Sequence, residues 1–262
     1  MNQPLIVIPF TAEQAPAAER LCDWIFALSG KDTNGSCLLV AAADVHAEMI
    51  AKVSVSAEVA CEHVEMIQAP ETNATAPGEV VNKLFAFAGE YLVRHYRCPW
   101  VWLEPYSVPL VRDWRENLLA AYLAQPKRYL GGHWKFGSGE KLCLSPCAVY
   151  PPDAIRDLSP FCNAGVPFNV AAADSIVARS TKSRLIQGFE YAGDITKLRP
   201  DACVLSSDKT GKLIEHLHEQ VSGPVEIIPP LLDLKPKMTV AERMAKARAA
   251  RGKVGATQMA RL

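Results

Sequence analysis

One carboxylate stands directly after a short apolar run in the middle of the chain. The run covers residues 100–103, and its aromatic and branched side chains predict a strand buried on both faces. Glu104 follows the run, and Tyr106 occupies the position where a second acid would complete a metal-binding pair. Because ligands of open α/β sheets bind at the carboxyl ends of the strands, Glu104 is expected to contact a metal ion, a ribose or a substrate.

Three more polar side chains are candidates for ligand contacts, two of them after predicted strands and one on a helix. Thr11 comes after the first predicted strand and Asp44 after the second, while Lys83 lies on an amphipathic helix that precedes the strand ending at Glu104. Each also has an ordinary structural interpretation. An aspartate at such a position is a common helix cap, and a lysine on an amphipathic helix usually faces solvent.

Two side chains in the second half of the chain are candidates for proton transfer. His133 lies in a glycine-rich stretch, residues 131–139, which has neither P-loop nor dinucleotide-binding spacing and is predicted to be a mobile loop. Asp174 belongs to a polar cluster whose other members are Arg179, Lys182 and Arg184. A single loop histidine is usually exposed, and the cluster fits an ordinary surface equally well, so both alternatives stay open.

Alternating strand and helix signals organise the first half of the chain. The predicted strands are residues 5–8, 36–42, 64–67 and 100–103, and the predicted helices are residues 11–28, 45–52, 78–96 and 114–124. This order predicts a single α/β domain, residues 1–234, with a mostly parallel, Rossmann-type sheet flanked by helices. A strand at residues 142–150 and a helix at residues 212–221 are also predicted.

Composition narrows the class of protein. The chain has 262 residues, 49% of them hydrophobic, but no uninterrupted apolar run long enough to cross a bilayer. It begins without the basic and apolar segments of a signal peptide, so a cytoplasmic location and no membrane partner are expected. The eight cysteines are dispersed without a C-x-x-C pair. Reduced, mostly buried thiols are therefore expected rather than zinc ligands or disulfides.

The charge is unevenly distributed, although the chain carries 28 basic and 28 acidic residues. Residues 235–262 hold eight bases and one acid, Glu242, and the rest of the chain is acidic. A capping-box pattern from Thr239 to Glu242 predicts a helix that continues to about residue 251. This basic extension favours binding of phosphates or nucleic acid. A solubilising tail, or one that docks on a protein, is an equally good interpretation.

Residues 78–91 followed by residues 100–106 resemble the core of GT-A glycosyltransferases. In that family a glycine-led helix carrying Asn or Lys, here Gly78, Asn82 and Lys83, precedes a strand that ends in a D-x-D-type motif. The chain more narrowly resembles a group of phage-encoded glycosyltransferases. The similar segments there are residues 5–10, residues 21–28 and the Val-Tyr-Pro element at residues 149–151, and the likeness covers residues 4–220.

The resemblance implies a nucleotide-sugar donor, a divalent cation such as Mn²⁺ or Mg²⁺ held by Glu104, and transfer of the sugar to an acceptor. The phage relatives suggest a hydroxymethylated pyrimidine in DNA as that acceptor, with the basic tail as a DNA contact. For the chemistry on the acceptor side, Asp174 or His133 is the candidate catalytic residue. The implied donor-binding residues are Pro9, Phe10, Thr11, Asp44, Asn82, Lys83, Glu104 and Tyr106.

Three departures from the family pattern weaken the expected metal and base chemistry. Tyr106 replaces the last acid of the motif, Asn169 stands where an acceptor-orienting acid is expected, and residues 204–207 lack a metal-binding histidine. Either cationic side chains such as Lys83, Arg179, Lys182 or Arg184 stabilise the leaving diphosphate, or the fold persists as a non-catalytic binding or assembly module. A methyltransferase-like enzyme is disfavoured because no glycine-rich turn follows the first strand.

Overall fold

The computed structural model describes residues 4–71, 77–136, 141–188 and 198–206. The first half of the chain contains β1 Leu5–Phe10, α1 Ala15–Ser29, β2 Asp32–Ala41, α2 Ala47–Ala60, β3 Cys61–Gln68, α3 Pro77–His95 and β4 Trp100–Trp102. This is the predicted order of strands and helices. β2 begins four residues before the predicted strand at residues 36–42, and α2 and β3 are longer than predicted.

Shorter elements follow in the second half of the chain. They are β5 Ser107–Pro109, α4 Trp114–Leu123, β6 Tyr129–Phe136, β7 Lys141–Tyr150, α5 Ala154–Leu158, a 3-10 turn Ser159–Phe161, α6 Phe168–Ala171, α7 Ala173–Ala178, β8 Ser180–Lys182, β9 Ile186–Gln187 and β10 Val204–Ser206. The predicted helix at residues 114–124 and strand at residues 142–150 correspond to α4 and β7.

The main sheet has seven strands in the order β3-β2-β1-β4-β7-β6-β8, and β7 is the strand that runs against the others. The prediction of a mostly parallel sheet flanked by helices in one domain is confirmed. Along the chain, strands are added outward from β1 to β3 and then on the other side of β1, at β4. That reversal is the point where open α/β sheets bind ligands. A second sheet has three strands in the order β5-β10-β9.

The helices flank the sheet in two groups. α1 and α2 pack against each other, whereas α3 packs against α5 and crosses back toward β4. Phe85 of α3 carries much of the contact with the sheet, because its ring lies 5.4 Å from that of Trp100, 5.2 Å from Trp102 and 3.9 Å from Phe168. Trp100 and Trp102 are buried. This aromatic layer confirms the buried strand before Glu104 and fixes its end.

The prediction of a mobile loop at residues 131–139 is wrong for the residues that the structure describes, because β6 runs through Phe136. A Cβ atom on Gly131 would lie 2.8 Å from the side chains of Ala148 and Leu144. One on Gly132 would lie 3.1 Å from the carbonyl oxygen of Ile186. These glycines therefore allow close packing of the strand rather than motion.

Several predictions lie outside the described residues. They are the end of the glycine-rich stretch at residues 137–139, the helix at residues 212–221, the domain boundary at residue 234 and the basic extension at residues 235–262. In the part of the chain that is described, no helix is both long and apolar enough to cross a membrane.

Candidate functional site

An open pocket of about 360 Å³ lies where β1, β2 and β3 end, next to α3. We call it the strand-end pocket. Its volume is in the range of small-molecule sites. The lining residues are Thr11, Ala42, Ala43, Asp44, Ala69, Pro70, Glu71, Val80, Lys83 and Leu84. Three residues predicted from separate parts of the sequence, Thr11, Asp44 and Lys83, thus line one pocket.

Backbone hydrogen bonds place Thr11 and Asp44 at this edge. The N–H of Ala42 donates to the carbonyl of Phe10 at 2.8 Å, so β1 and β2 end together. The N–H of Ala12 then donates to Oδ2 of Asp44 at 3.4 Å. Asp44 is otherwise exposed, so its carboxylate remains hydrated and accessible to a ligand.

The side chain of Gln68 holds the loop that carries Asp44. Its Nε2 donates to the carbonyl of Val45 at 3.0 Å and to that of Ala42 at 3.3 Å. Gln68 is the last residue of β3, so the ends of β2 and β3 are tied together beneath the pocket. The segments that line the pocket directly after these strands are therefore held by hydrogen bonds to the sheet.

The other two residues predicted to border the donor, Pro9 and Phe10, lie within the sheet. Pro9 pairs with Val40 and Phe10 with Ala41, and the side chains of Pro9 and Phe10 are buried. Neither lines the strand-end pocket, whereas the next residue, Thr11, does. Of the three residues predicted to border the donor, Thr11 is therefore the one that lines the pocket.

Lys83 reaches the pocket from α3. Its Nζ donates to Oδ1 of Asn163 at 2.6 Å. The contact joins residues 80 positions apart, and no sequence pattern signals it. Asn163 is exposed and was missed by sequence analysis.

Asn82 has a different role from the predicted contact with a donor. It is fully buried, and its Nδ2 donates to the carbonyls of Ala164 at 3.2 Å and Val166 at 2.8 Å. Its Oδ1 accepts from the N–H of Phe168 at 2.7 Å. With no exposed surface and every amide group bonded inside the protein, Asn82 fixes residues 164–168 to α3 and supports the pocket from behind.

Glu104 lies one strand away from the pocket. Val7 of β1 pairs with Trp102 of β4, so two residues further on Glu104 is level with Pro9. The N–H of Ser107 donates to the carbonyl of Glu104 at 2.7 Å, which closes a turn with Pro105 at its second position. The chain then enters β5, so Glu104 and Tyr106 belong to a turn and not to a continuing strand.

The carboxyl of Glu104 lies in a poorly hydrated environment, which we call the Glu104 corner, formed with Ser107, Cys147 and Ser206. Glu104 keeps part of its surface accessible, but dense packing around the carboxyl raises its pKa to about 7. Among the described residues no side chain donates a hydrogen bond to it. Burial also raises the pKa of the Cys147 thiol to about 12, with a further contribution from the nearby Glu104 charge.

A bulge in β7 brings Cys147 to this corner. Gly131 pairs with Ala148 and His133 with Leu144, so residues 145–147 of β7 lie opposite the single residue between them on β6. Ser107 and Ser145 are buried, and their hydroxyl oxygens have no hydrogen-bond partner in the described ranges. The nearby Ser107 hydroxyl lowers the pKa of the Cys147 thiol and so partly offsets the effect of burial. The hydroxyl and the thiol do not meet the geometric criteria for a hydrogen bond.

The described residues do not fit a conventional divalent-cation site. Mn²⁺ and Mg²⁺ prefer several oxygen ligands, mainly carboxylates and waters. The Glu104 corner supplies one carboxylate, with Tyr106 in place of the second acid. No group of three His, Cys, Asp or Glu side chains able to hold a metal ion occurs within residues 4–71, 77–136, 141–188 and 198–206.

The two predicted acceptor-side residues are not joined by any contact among the described residues. His133 lies on β6, where its Nε2 is 2.7 Å from Oγ of Ser180. Burial, followed by the charges of Lys182 and Lys127, lowers the pKa of His133. The side chain of Asp174 is 92% exposed and pairs with Lys141 at 3.4 Å. His133 therefore has a partner and is not an exposed loop histidine.

The predicted cationic cluster is divided between separate partners. Nη1 of Arg179 lies 2.9 Å from Asp157, and Nε of Arg184 lies 2.8 Å from Asp201. Lys182 lines a narrow cleft of about 10 Å³ together with His133. That volume accommodates at most about one water molecule.

The sequence matches no protein family and no curated protein. Solved structures do match. LgtC, a galactosyltransferase determined with donor and acceptor sugar analogues, has a TM-score of 0.55 at 8% identity, covering 85% of this chain and 96% of that one. The bifunctional glycosyltransferase WbbM has a TM-score of 0.54 at 10% identity, covering 79% of this chain and 46% of that one.

GlyE of Streptococcus pneumoniae TIGR4, a glycosyltransferase, has a TM-score of 0.52 at 9% identity, covering 78% of this chain and 54% of that one. The chain thus spans about half the length of WbbM and GlyE and nearly all of LgtC. At these identities the likeness shows the fold alone. The predicted GT-A-like fold is confirmed.

Proposed function

We propose that this protein is a glycosyltransferase that binds a nucleotide-sugar donor in the strand-end pocket. One observation carries the proposal: Thr11, Asp44 and Lys83, from three different elements, line a single pocket beside the point where the strand order reverses. Its support is the combination of that position with a fold shared with solved glycosyltransferases.

The chemistry of the pocket suits each part of such a donor. Asp44 carries an exposed carboxylate that accepts hydrogen bonds from ribose hydroxyls, and apolar groups of Ala69 and Leu84 flank a base. Lys83 supplies a positive charge for the diphosphate. Glu104, one strand further along, is placed toward the sugar, where a carboxyl with a pKa of about 7 donates or accepts a hydrogen bond.

For the acceptor we propose a hydroxymethylated pyrimidine in DNA, with His133 and Asp174 on the acceptor side. The support is the resemblance to phage-encoded glycosyltransferases and the eight basic residues in the last 28 positions of the chain. DNA binding of this kind weakens steeply with salt, so a gel-shift titration at increasing ionic strength tests it. Removing residues 235–262 is expected to abolish the shift.

A second candidate function is a binding module that takes up the nucleotide without transferring sugar. Two observations favour it. Tyr106 replaces an acid, and Asn169, which cannot act as a base, is buried with its Nδ2 donating to the carbonyl of Leu144 at 2.9 Å. One titration experiment separates the transferase from the binding module.

Isothermal titration of the full chain with ADP, CDP, GDP, UDP and their sugar conjugates is that experiment. At least one is expected to bind, and Asp44→Ala is expected to weaken it. Asp23→Ala, an exposed aspartate on α1, is the matched control and is expected to bind like the wild type. Release of the nucleoside diphosphate from the bound conjugate when acceptor is added distinguishes a transferase from a binding module. No binding by any of these compounds would sink both candidates.

A further inference from the structure

Lys83 is a cation whose hydrogen-bond partner at the strand-end pocket is neutral. Its Nζ donates to the amide oxygen of Asn163 at 2.6 Å, and the ion pairs of the described residues do not include it. An amide holds the ammonium group in place by a hydrogen bond but does not neutralise its charge. The positive charge of Lys83 therefore remains available to an anion in the pocket.

The residue that holds Lys83 is itself fixed on both sides. Cys162 donates through its N–H to the carbonyl of Ser159 at 3.2 Å, and the carbonyl of Ala164 accepts from Asn82 at 3.2 Å. Asn163 stands between these tethered neighbours and is exposed. Its backbone is thus anchored while its side chain points to Lys83, and replacing that side chain leaves the buried contacts in place.

The arginines of the predicted cationic cluster do not line the strand-end pocket. Arg179 and Arg184 are each held by a carboxylate, Asp157 and Asp201, which offsets their charge. Glu104 is negatively charged when ionised and stands without a second acid to hold a cation. Lys83 is the basic residue among those that line the pocket, whose acids are Asp44 and Glu71.

We infer that Lys83, positioned by Asn163, neutralises the diphosphate of the donor in place of a divalent cation. The inference rests on the proposed function, because it assumes that the pocket takes a nucleotide. Lys83 contacts the phosphates directly, and Asn163 is a positioning residue that acts through Lys83. A carboxylate at position 163 would hold Lys83 equally well but would compete with the phosphates for its charge.

The test compares a nucleoside diphosphate with its parent nucleoside. The probe is whichever of ADP, CDP, GDP and UDP binds the full chain most tightly, titrated by calorimetry in EDTA and again in MnCl₂. We expect the same affinity in both. Lys83→Met is expected to weaken the diphosphate about tenfold, since a charge-assisted hydrogen bond is lost, and to leave the nucleoside unchanged.

Asn163→Asp is the sharper variant because it preserves the size of the side chain. It is expected to weaken the diphosphate about fivefold, the size of an exposed ion pair, without changing the nucleoside. In the Lys83→Met background the same substitution is expected to have no further effect. Asn163→Ala is expected to fold like the wild type, which shows that a substitution at this exposed position does not disrupt the structure. Lys31→Met removes an exposed lysine paired with Glu62 and is the control for the loss of a positive charge.

Outcomes that overturn the inference are distinct from those that overturn the proposed function. Diphosphate affinity that rises strongly with Mn²⁺, or that survives Lys83→Met, overturns the inference alone. If Asn163→Asp lowered the affinities for nucleoside and for nucleoside diphosphate equally, its effect would be structural, and the inference would also be overturned. A wild-type chain that binds no nucleotide overturns the proposed function and this inference with it.

Discussion

The strand-end pocket and the Glu104 corner lie at the same edge of one sheet, yet the carboxyl group of one is exposed to water and that of the other is largely desolvated. Asp44 in the pocket is exposed, and the pocket opens to solvent. Glu104, which follows β4, lies near Cys147, and the loss of hydration around its carboxyl raises its pKa to about 7. A carboxylate at a strand end is therefore not a binding group by position alone. The elements that close over it decide its charge.

One segment connects the two regions. Residues 163–169 start at Asn163, which holds Lys83 in the pocket, and end at Asn169, which donates to Leu144 beside the bulge. Between them Phe168 stacks on Phe85 at 3.9 Å. Any displacement of this segment is therefore expected to affect both regions, and its main anchor is Asn82.

Asn82→Ala is the substitution with the largest expected effect on this comparison. It leaves the N–H of Phe168 without its partner in a buried place and removes the donor to the part-buried carbonyls of Ala164 and Val166. With about 1–3 kcal/mol for the unpaired buried N–H and about 0.5–1.5 kcal/mol for each hydrogen bond lost at the two carbonyls, the free energy of unfolding is expected to fall by about 4 kcal/mol. Urea denaturation at pH 7 measures this loss.

The control for this substitution is Asn34→Ala, at an exposed position near the start of β2. A surface change there is expected to cost less than about 0.5 kcal/mol. If Asn82→Ala cost no more than the control, the segment would not be anchored by that amide, and the two regions would be independent.

Glu104→Gln is expected to stabilise the protein above neutral pH. The folded-state pKa of Glu104, about 7, lies above its ordinary value of 4.5, so the folded protein binds the proton more tightly than the unfolded chain. The protonated carboxyl of Glu104 therefore makes its full contribution to the free energy of unfolding below pH 4.5. This contribution is lost as the pH rises through the pKa of the folded state. The loss amounts to about 3 kcal/mol at most, since part of the residue stays accessible.

Thermal melts at pH 5 and pH 8 test this directly. The wild type is expected to lose stability between the two, and Glu104→Gln, which cannot ionise, is expected to lose less and to melt higher at pH 8. Glu58→Gln, an exposed position on α2, is expected to follow the wild type. A variant that melts lower than the wild type at pH 8 would mean that the ionised carboxylate stabilises the corner.

The sequence predicts the parts of this molecule that depend on local pattern. The Trp-Val-Trp run of β4 and the helical spacing of Val81, Leu84, Phe85 and Ala88 identify a buried strand and the helix that covers it. Their alternation with the earlier elements predicts the parallel sheet, because a right-handed crossover allows few other arrangements. The strand-end positions of Thr11 and Asp44 follow from the same pattern.

Contacts between residues that are far apart in the chain could not be predicted from the sequence pattern. The glycines of β6 appear flexible until Ala148 and Ile186 are seen packing against them. Cys147, whose thiol pKa is raised in part by the charge of Glu104, lies 43 positions further along the chain than Glu104. The Lys83–Asn163 contact spans 80 positions. Each depends on which distant residue packs nearby, which neither periodicity nor spacing encodes.

The smallest expected effect is also the one that compares the two regions most directly. Asp44→Asn replaces the carboxylate that accepts hydrogen bonds from the ribose hydroxyls with a neutral amide, which is a weaker acceptor. The affinities for nucleoside and for nucleoside diphosphate are therefore both expected to fall about fivefold, which corresponds to about 1 kcal/mol of hydrogen bonding. Glu104→Gln is expected to leave nucleoside affinity unchanged, because the corner lies beyond the pocket. Calorimetry with the nucleoside alone separates the two. If Glu104→Gln weakened the nucleoside as much as Asp44→Asn, the base and ribose would extend across β1 to the corner, and pocket and corner would form one site.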